Sequence, residues 1–316
     1  MTLYRGTFAD CPTDPFAGGE LRVLSDGALL VRDGRIVARG SWADLVGTHP
    51  DEERVDLSGG LVLPGLVDTH VHYPQLRVIG GLGLPLLDWL DQRALPEEQR
   101  LVDAAYARAV AHEFLGSFVR AGTTTALVFG AHYASAMDEF FAEAEASGLR
   151  IVSGVVVSDR ELPEPLLTTP ERSISDALGL AERWHGRGRL RYAVTPRFSY
   201  SCSQDLMAAC GEAFRAIDGA LFTSHVNENR AEIEGVEAYF GTSYVDTYDR
   251  VGVLSPLSVL AHNVHPSDAE LATLAGRGAS ISHCPCSNSA LGSGMFPLRR
   301  HLDAGVRVSL GTDVGG

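Results

Sequence analysis

Histidine and acidic residues recur at the ends of apolar runs in this chain. The run that begins at Leu61 closes on Asp68-Thr69-His70-Val71-His72, with two histidines separated by one residue. On a β-strand alternate side chains share a face, so His70 and His72 point together and offer two ring nitrogens to one place. Such a pair is half of a metal site. A pair that caps backbone carbonyls has the same spacing, and H-x-H alone leaves both readings open. Three later runs end in the same way. Leu221–Glu228 closes on Ser224-His225-Val226-Asn227-Glu228, Val259–His262 closes on histidine, and Leu310–Asp313 closes on aspartate. Four separate runs therefore bring His, Glu or Asp to their ends, which points to a functional metal site.

Those residues need strands that end on one rim. From Leu61 onward, apolar strands alternate with amphipathic helices, with strands expected at 61–70, 123–129, 150–157, 190–196, 220–226, 257–262, 279–284 and 306–312. Pro96-Glu97-Glu98 is expected to open a long helix that stops at Gly122. Thr169-Pro170-Glu171 opens another, Ser203 caps a third, and Ser267 with Glu270 forms a capping box. Eight β-then-α units require parallel strands, and the economical closed arrangement is an α/β fold of the (β/α)8 type over residues 61–316. An open doubly wound sheet is the alternative, disfavoured because no G-x-G-x-x-G turn follows the first strand. Residues 1–60 read as a small β domain, with strands near 20–24, 27–32, 35–40 and 54–57 punctuated by Asp26-Gly27 and Asp33-Gly34.

Composition narrows the classes. With 26 basic against 40 acidic residues the net charge is −14, which argues against a nucleic-acid backbone as partner. No run approaches the length of a membrane span, and the N-terminus shows no secretory pattern. Five scattered cysteines do not form a disulfide framework, so a reducing cytoplasm is the expected location. Every basic residue is arginine, which excludes a Schiff-base lysine, a P-loop lysine and a carboxylated-lysine metal bridge.

The order H-x-H, His with Glu three residues on, His and Asp resembles the amidohydrolase superfamily in its mononuclear-zinc branch. Within it, PGLVDTHVHYPQ (64–75), LPLLDWL (84–90), TPRFSYSCS (195–203), SHVNENR (224–230), HCPCSNSALGSG (283–294) and GTDVGG (311–316) resemble the guanine deaminase family. The resemblance covers essentially the whole chain. It implies zinc-dependent deamination of guanine to xanthine and ammonia, in purine catabolism, by a homodimer with one Zn²⁺ per chain. The alternatives are another amino- or chloro-substituted heterocycle (an 8-oxopurine, an adenosine derivative or a triazine), or a catalytically silent homologue. By the same resemblance His70, His72, His225 and Asp313 are the zinc ligands. Asp313 also accepts a proton from the attacking water, Glu228 moves protons to the ring and the leaving amine, and His262 orients the water or tetrahedral intermediate. Gln75, Arg197 and Phe198 join His72, His225, Glu228 and Asp313 in contacting substrate. Core packing for Phe198 and a structural ion pair for Arg197 are the plainer alternatives, and Trp89 either lines the pocket or packs beneath its loop. Cys284 and Cys286 are expected to be simple thiols. His112, His132, His185 and His301 are expected to lie away from the rim, with His265 and His283 nearer to it. Family members extend beyond the Gly-Thr-Asp segment, so the chain reads as C-terminally truncated. It is expected to lack the last barrel helix and to expose an apolar flank of the first and eighth strands.

Overall fold

Two units, Met1–Gly65 and Leu66 onward, divide the computed structural model, which describes residues 1–315. The first holds β1 (Thr2–Asp10), β2 (Arg22–Arg32), β3 (Arg35–Ser41), α1 (Trp42–Thr48) and β4 (Glu53–Val62), in the sheet order β3-β2-β1-β4. Asp33 and Gly34 both adopt positive φ and form the tight turn between β2 and β3 that their types call for. Asp26-Gly27 behaves differently. Asp26 takes φ 45° inside β2, so the two short strands expected on either side of it are one strand. The boundary expected at 60/61 falls instead at Gly65/Leu66, because β4 runs through Ser58-Gly59-Gly60 to Val62. Leu3, Ala28 and Leu30, with Trp42 and Leu45 of α1 against them, make a small core of their own.

The second unit contains the strands β5 (Leu66–His72), β6 (Thr123–Phe129), β7 (Arg150–Gly154), β8 (Val156–Val157), β9 (Arg191–Pro196), β10 (Leu221–Val226), β11 (Ser258–His262), β12 (Ser280–His283) and β13 (Arg307–Leu310). All pair in parallel, in the order β13-β12-β11-β10-β9-β7-β6-β5, with β8 paired to β9. Asp313 N–H donates to His70 O at 2.8 Å, and Thr69 Oγ1 contacts Ser282 Oγ and Ser309 Oγ at 2.7 and 2.9 Å, which brings the two ends of the sheet together. The result is a nearly closed eight-stranded α/β barrel, as the alternation of strands and helices requires. Val71, Val128, Ile151, Phe222, Leu260 and Ile281 are fully buried along it, whereas Leu66, Val67 and Leu310 are exposed on β5 and β13.

Around the strands lie α2 (Leu86–Trp89), α3 (Leu95–Gln99), α4 (Ala104–Ala121), α5 (Ala134–Ser147), α6 (Pro170–Trp184), α7 (Gln204–Ala216), α8 (Arg230–Phe240), α9 (Tyr244–Arg250), α10 (Asp268–Arg277), α11 (Pro285–Ala290) and α12 (Leu298–Asp303). The single helix expected from Pro96 to Gly122 is broken. A π-turn spans Leu90–Ala94, α3 is short, and α4 starts afresh at Asp103. Pro96 has no N–H for the helical ladder and crowds the carbonyl four residues earlier, which the wider π-turn accommodates. Asp103 then accepts from Ala105 N–H and Tyr106 N–H, a stronger N-cap than Pro-Glu-Glu supplies. Glu98 is thereby released from helix-end duty and turns inward.

Candidate metal centre and active site

Three imidazoles and one carboxylate meet at the C-terminal mouth of the barrel. Period-two alternation puts Asp68, His70 and His72 of β5 on its inner face. His72 Nε2 lies 3.2 Å from His70 Nε2 and 3.1 Å from His225 Nε2. Asp313 Oδ1 lies 3.2 and 3.3 Å from the Nε2 atoms of His70 and His72. A tetrahedral ion with metal–nitrogen bonds of about 2.0–2.1 Å has ligand-to-ligand edges of about 3.3 Å, so these separations fit one shared ion. The protonation states agree. Burial lowers the pKa of His70 and His225, and brings His72 to about 4, so the rings are neutral ligands. His225 Nδ1 faces Arg197 O at 2.6 Å and must donate its proton there, which leaves the Nε2 lone pair for a metal. Burial alone would raise the Asp313 carboxyl, but the surrounding imidazoles, His70 foremost, hold it well below the usual range.

Asp68 braces this cluster from behind. Its Oδ1 accepts from His70 N–H and Thr312 N–H, and its Oδ2 accepts from Thr312 Oγ1 at 2.5 Å, tying the β5 end to the turn that carries Asp313. Gly311 leads into that turn without a side chain, because a Cβ there would lie 2.8 Å from His70 Cβ and 2.6 Å from Ser282 Oγ. His262 and Asp313 both adopt left-handed backbone, at φ 75° and 49°. Such conformations cost roughly 1–3 kcal/mol each and persist where surrounding bonds over-determine them. Here those bonds include Asn263 N–H to Val226 O and Asp313 N–H to His70 O, both 2.8 Å.

Glu228 and His262 face the cluster from the far side. His262 Nδ1 contacts Asn288 Oδ1 at 2.9 Å, while its Nε2 has no partner and lies 3.4 Å from Glu228 Oε2 and 3.7 Å from Asp313 Oδ2. Glu228 is buried and accepts one hydrogen bond, from Ser293 Oγ at 3.1 Å. Burial first, and the Asp313 charge second, push its carboxyl up to about 8.

A cavity of about 370 Å³ opens beside these groups, lined by His72, His225, Glu228 and Asp313 on one side and by Gln75, Trp89, Arg197 and Phe198 on the other. On the second side, Arg197 makes a buried bidentate pair with Glu98, at 2.6 and 3.0 Å, and Gln75 Nε2 donates to the same carboxylate at 2.8 Å. His132 Nε2 is 3.3 Å from Glu98 Oε2.

All four expected ligands thus meet, with Glu228 and His262 beside them, and Gln75, Arg197 and Phe198 line the same cavity. Trp89 lines it too, with its Nε1 unpartnered. His132 is a correction: expected away from the rim, it is buried against Glu98 and Arg197, because β6 delivers the segment after Phe129 to the pocket. Cys284 is buried and Cys286 exposed. Cys284 also lies close enough to His70, His262 and Asp313 to form a second candidate ligand group. His301 is likewise buried, bonded to Asn263 Nδ2 at 2.9 Å. Sequence reasoning missed Asp68, Glu98 and Asn288. Asp68 had a visible signal, since it shares the parity of His70 and His72, whereas Glu98 read as a helix-opening acid. Within 311–316, Gly316 lies outside the described residues.

The mouth of this barrel carries a possible metal-binding site, and the model of the amidohydrolase family matches residues 61–316. A second model, an imidazolonepropionase-like composite domain of bacteria, matches residues 27–51. A probable guanine deaminase of Deinococcus radiodurans is 57% identical over 100% of this chain and 74% of that protein. The solved structure of E. coli guanine deaminase superposes with a TM-score of 0.96 at 37% identity, covering 100% of this chain and 74% of the other. Guanine deaminase from C. acetobutylicum, solved with guanine bound in its active site, gives 0.93 at 28% identity over 99% and 74%. The chain belongs to the guanine deaminases of the amidohydrolase family.

Proposed function

We infer that this chain hydrolyses guanine to xanthine and ammonia, with His70, His72, His225 and Asp313 holding one Zn²⁺. The observation that carries the reaction is the buried Glu228 carboxyl beside the four-ligand cluster and at the edge of the cavity. The donor set, three neutral imidazoles and a carboxylate at tetrahedral spacing, suits Zn²⁺. When bound, such an ion lowers the pKa of a water toward ~7 and polarises the electrophile.

The protein groups do the rest. Gln75 and Arg197 orient the base by its polar edge while Phe198 and Trp89 flank its rings. Asp313, held ionised, takes a proton from the attacking water, whose oxygen bonds to the amine-bearing ring carbon. Glu228 gives its proton to the adjacent ring nitrogen, takes one back from the hydroxyl now on that carbon, and passes it to the amine as the exocyclic C–N bond breaks and the new carbonyl forms; the proton left on Asp313 then returns to Glu228. His262, fixed through Nδ1 by Asn288, presents Nε2 to the oxygen arriving between Glu228 and Asp313. Water and guanine are thereby converted to xanthine and ammonia with protons balanced. The family resemblance supports a cytoplasmic homodimer acting in purine catabolism, and no described helix is long and apolar enough to cross a membrane.

Assaying the zinc-loaded protein with guanine, following purine absorbance and released ammonia, tests the reaction. Turnover that a chelator abolishes and zinc restores is expected, with Glu228→Gln lowering kcat by roughly 10²–10⁴-fold. A folded, zinc-loaded protein that leaves guanine unchanged overturns it.

A further inference from the structure

Glu98 belongs to none of the motifs that announce the metal centre, yet its carboxylate binds two side chains that line the cavity, Gln75 and Arg197. It is 2% exposed. Oε1 accepts from Gln75 Nε2 at 2.8 Å and Arg197 Nη2 at 3.0 Å. Oε2 accepts from Arg197 Nη1 at 2.6 Å and faces His132 Nε2 at 3.3 Å. An ionised carboxylate only accepts, so every one of these neighbours must turn an N–H toward it. That requirement fixes the rotation of the Gln75 amide, the plane of the Arg197 fork and the tautomer of His132.

Two consequences follow for the pocket. Gln75 and Arg197, which come from separate segments after β5 and β9, are locked to one carboxylate and act as one rigid edge. Two faces of the guanidinium fork are occupied by Glu98, and its remaining N–H groups, with the second N–H of Gln75, are what the cavity can use. The Glu98 charge also neutralises Arg197 locally. A bare buried guanidinium would favour an anionic ligand, whereas the neutralised pair favours a neutral carbonyl acceptor.

We propose that Glu98 is a positioning residue that sets Gln75 and Arg197 as a joint donor edge for the carbonyl-bearing side of the base, and so selects an oxopurine over its aminopurine counterpart. His132 closes the far side of the same carboxylate and completes its ring of donors. This inference rests on the guanine reading above. It assigns to Glu98 no contact with the reacting atoms, only control of the two side chains that hold the base.

The test compares metal-replete wild type, Glu98→Gln and Glu98→Asp on guanine and on 2,6-diaminopurine, which keeps the scissile amine but replaces the carbonyl with an amine. Glu98→Gln keeps the volume and puts an N–H where Arg197 and His132 need an acceptor. Its KM for guanine is expected to rise roughly 10–100-fold, and its preference for guanine over the diamine to shrink by a similar factor. Bound metal is expected to stay unchanged and kcat to move far less than KM. Glu98→Asp, which keeps the charge, is expected to recover part of the preference. If Glu98→Gln fails to fold, Glu98→Asp decides, with a raised KM expected. A folded, metal-replete variant with wild-type KM and preference, or one that loses kcat alone, overturns the inference while leaving the reaction standing. Wild type that does not act on guanine overturns the reaction, and this inference with it.

Discussion

The two walls of the pocket are made in opposite ways. The metal wall comes from strand ends: His70 and His72 close β5, His225 lies near the end of β10, and Asp313 follows β13 by three residues. Their backbones are tied into or against the parallel ladder, and their converging atoms lie about 3.1–3.3 Å apart. The recognition wall comes from excursions. Gln75 sits in a 3-10 turn, Arg197 follows β9, and Glu98 rides on a five-residue helix after a π-turn. Of the three only Arg197 is bonded to the sheet, its N–H donating to Val157 O, and a buried charge pair joins the side chains. The walls meet at Arg197, whose carbonyl orients His225 while its side chain grips Glu98. Chemistry is thus built on the stiffest part of the fold and selectivity on the part that can change without disturbing it.

Substitutions should separate the walls accordingly. Asp313→Ala removes the proposed ligand and proton acceptor together. Activity should fall by about 10³-fold or more, with bound zinc below one per chain by elemental analysis. Arg197→Met attacks the other wall and should leave zinc stoichiometric. It should cost roughly 10²-fold in kcat/KM, and it should destabilise the protein by about 3–5 kcal/mol in chemical denaturation, because Glu98 is left buried and unpaired. Pairing it with Glu98→Leu should restore most of that stability and none of the activity. A double variant that regained activity would show that the recognition wall does not depend on this pair. Asp68→Asn should lower metal affinity about 10–100-fold in a chelator competition, with KM for guanine unchanged at saturating zinc.

The smallest expected effect concerns pH. Glu228 is raised to about 8, so the acid form that supplies the proton predominates below that value and is lost above it. Turnover should fall about tenfold per unit on the alkaline side. Glu98 behaves oppositely. Burial would raise its carboxyl, but Arg197 and His132 outweigh that and hold it well below the usual range, so it stays ionised throughout. KM for guanine should therefore stay flat between pH 6 and about 8 while kcat changes above it, and Glu228→Gln should remove the limb. A KM that climbed in parallel with the loss of kcat would couple the two walls more tightly than the geometry does.

How much was legible follows from the same contrast. The strands announced themselves by apolar runs, their parallel pairing by the helices between them, and the ligands by parity and by position at run ends. His70 with His72 is readable because a strand has a fixed period of two. Asn227 and Asn263 are less so. They flank Glu228 and His262 in left-handed backbone, and Asn227 Nδ2 bonds Asn263 Oδ1 at 3.0 Å, which no spacing in the sequence indicates. The broken helix before Gly122 shows the limit of local rules. Pro96-Glu97-Glu98 is a sound helix start in isolation, but tertiary partners took both acids, Glu97 for Tyr106 and Arg100 and Glu98 for Arg197.

The sequence by itself determined the alternation of strands and helices, the acidic lysine-free composition and the gathering of histidine and acidic residues at run ends, because each depends on residue type and on periodicities that hold over a few residues. Tertiary structure alone decided that Glu98, 99 positions from Arg197 in the chain, is the partner that sets the recognition wall, and that His132 joins it. It also decided that Glu228 is an acid at neutral pH. Charge pairing and desolvation depend on distance through space and on the exclusion of water, and neither is defined until the chain has closed around them.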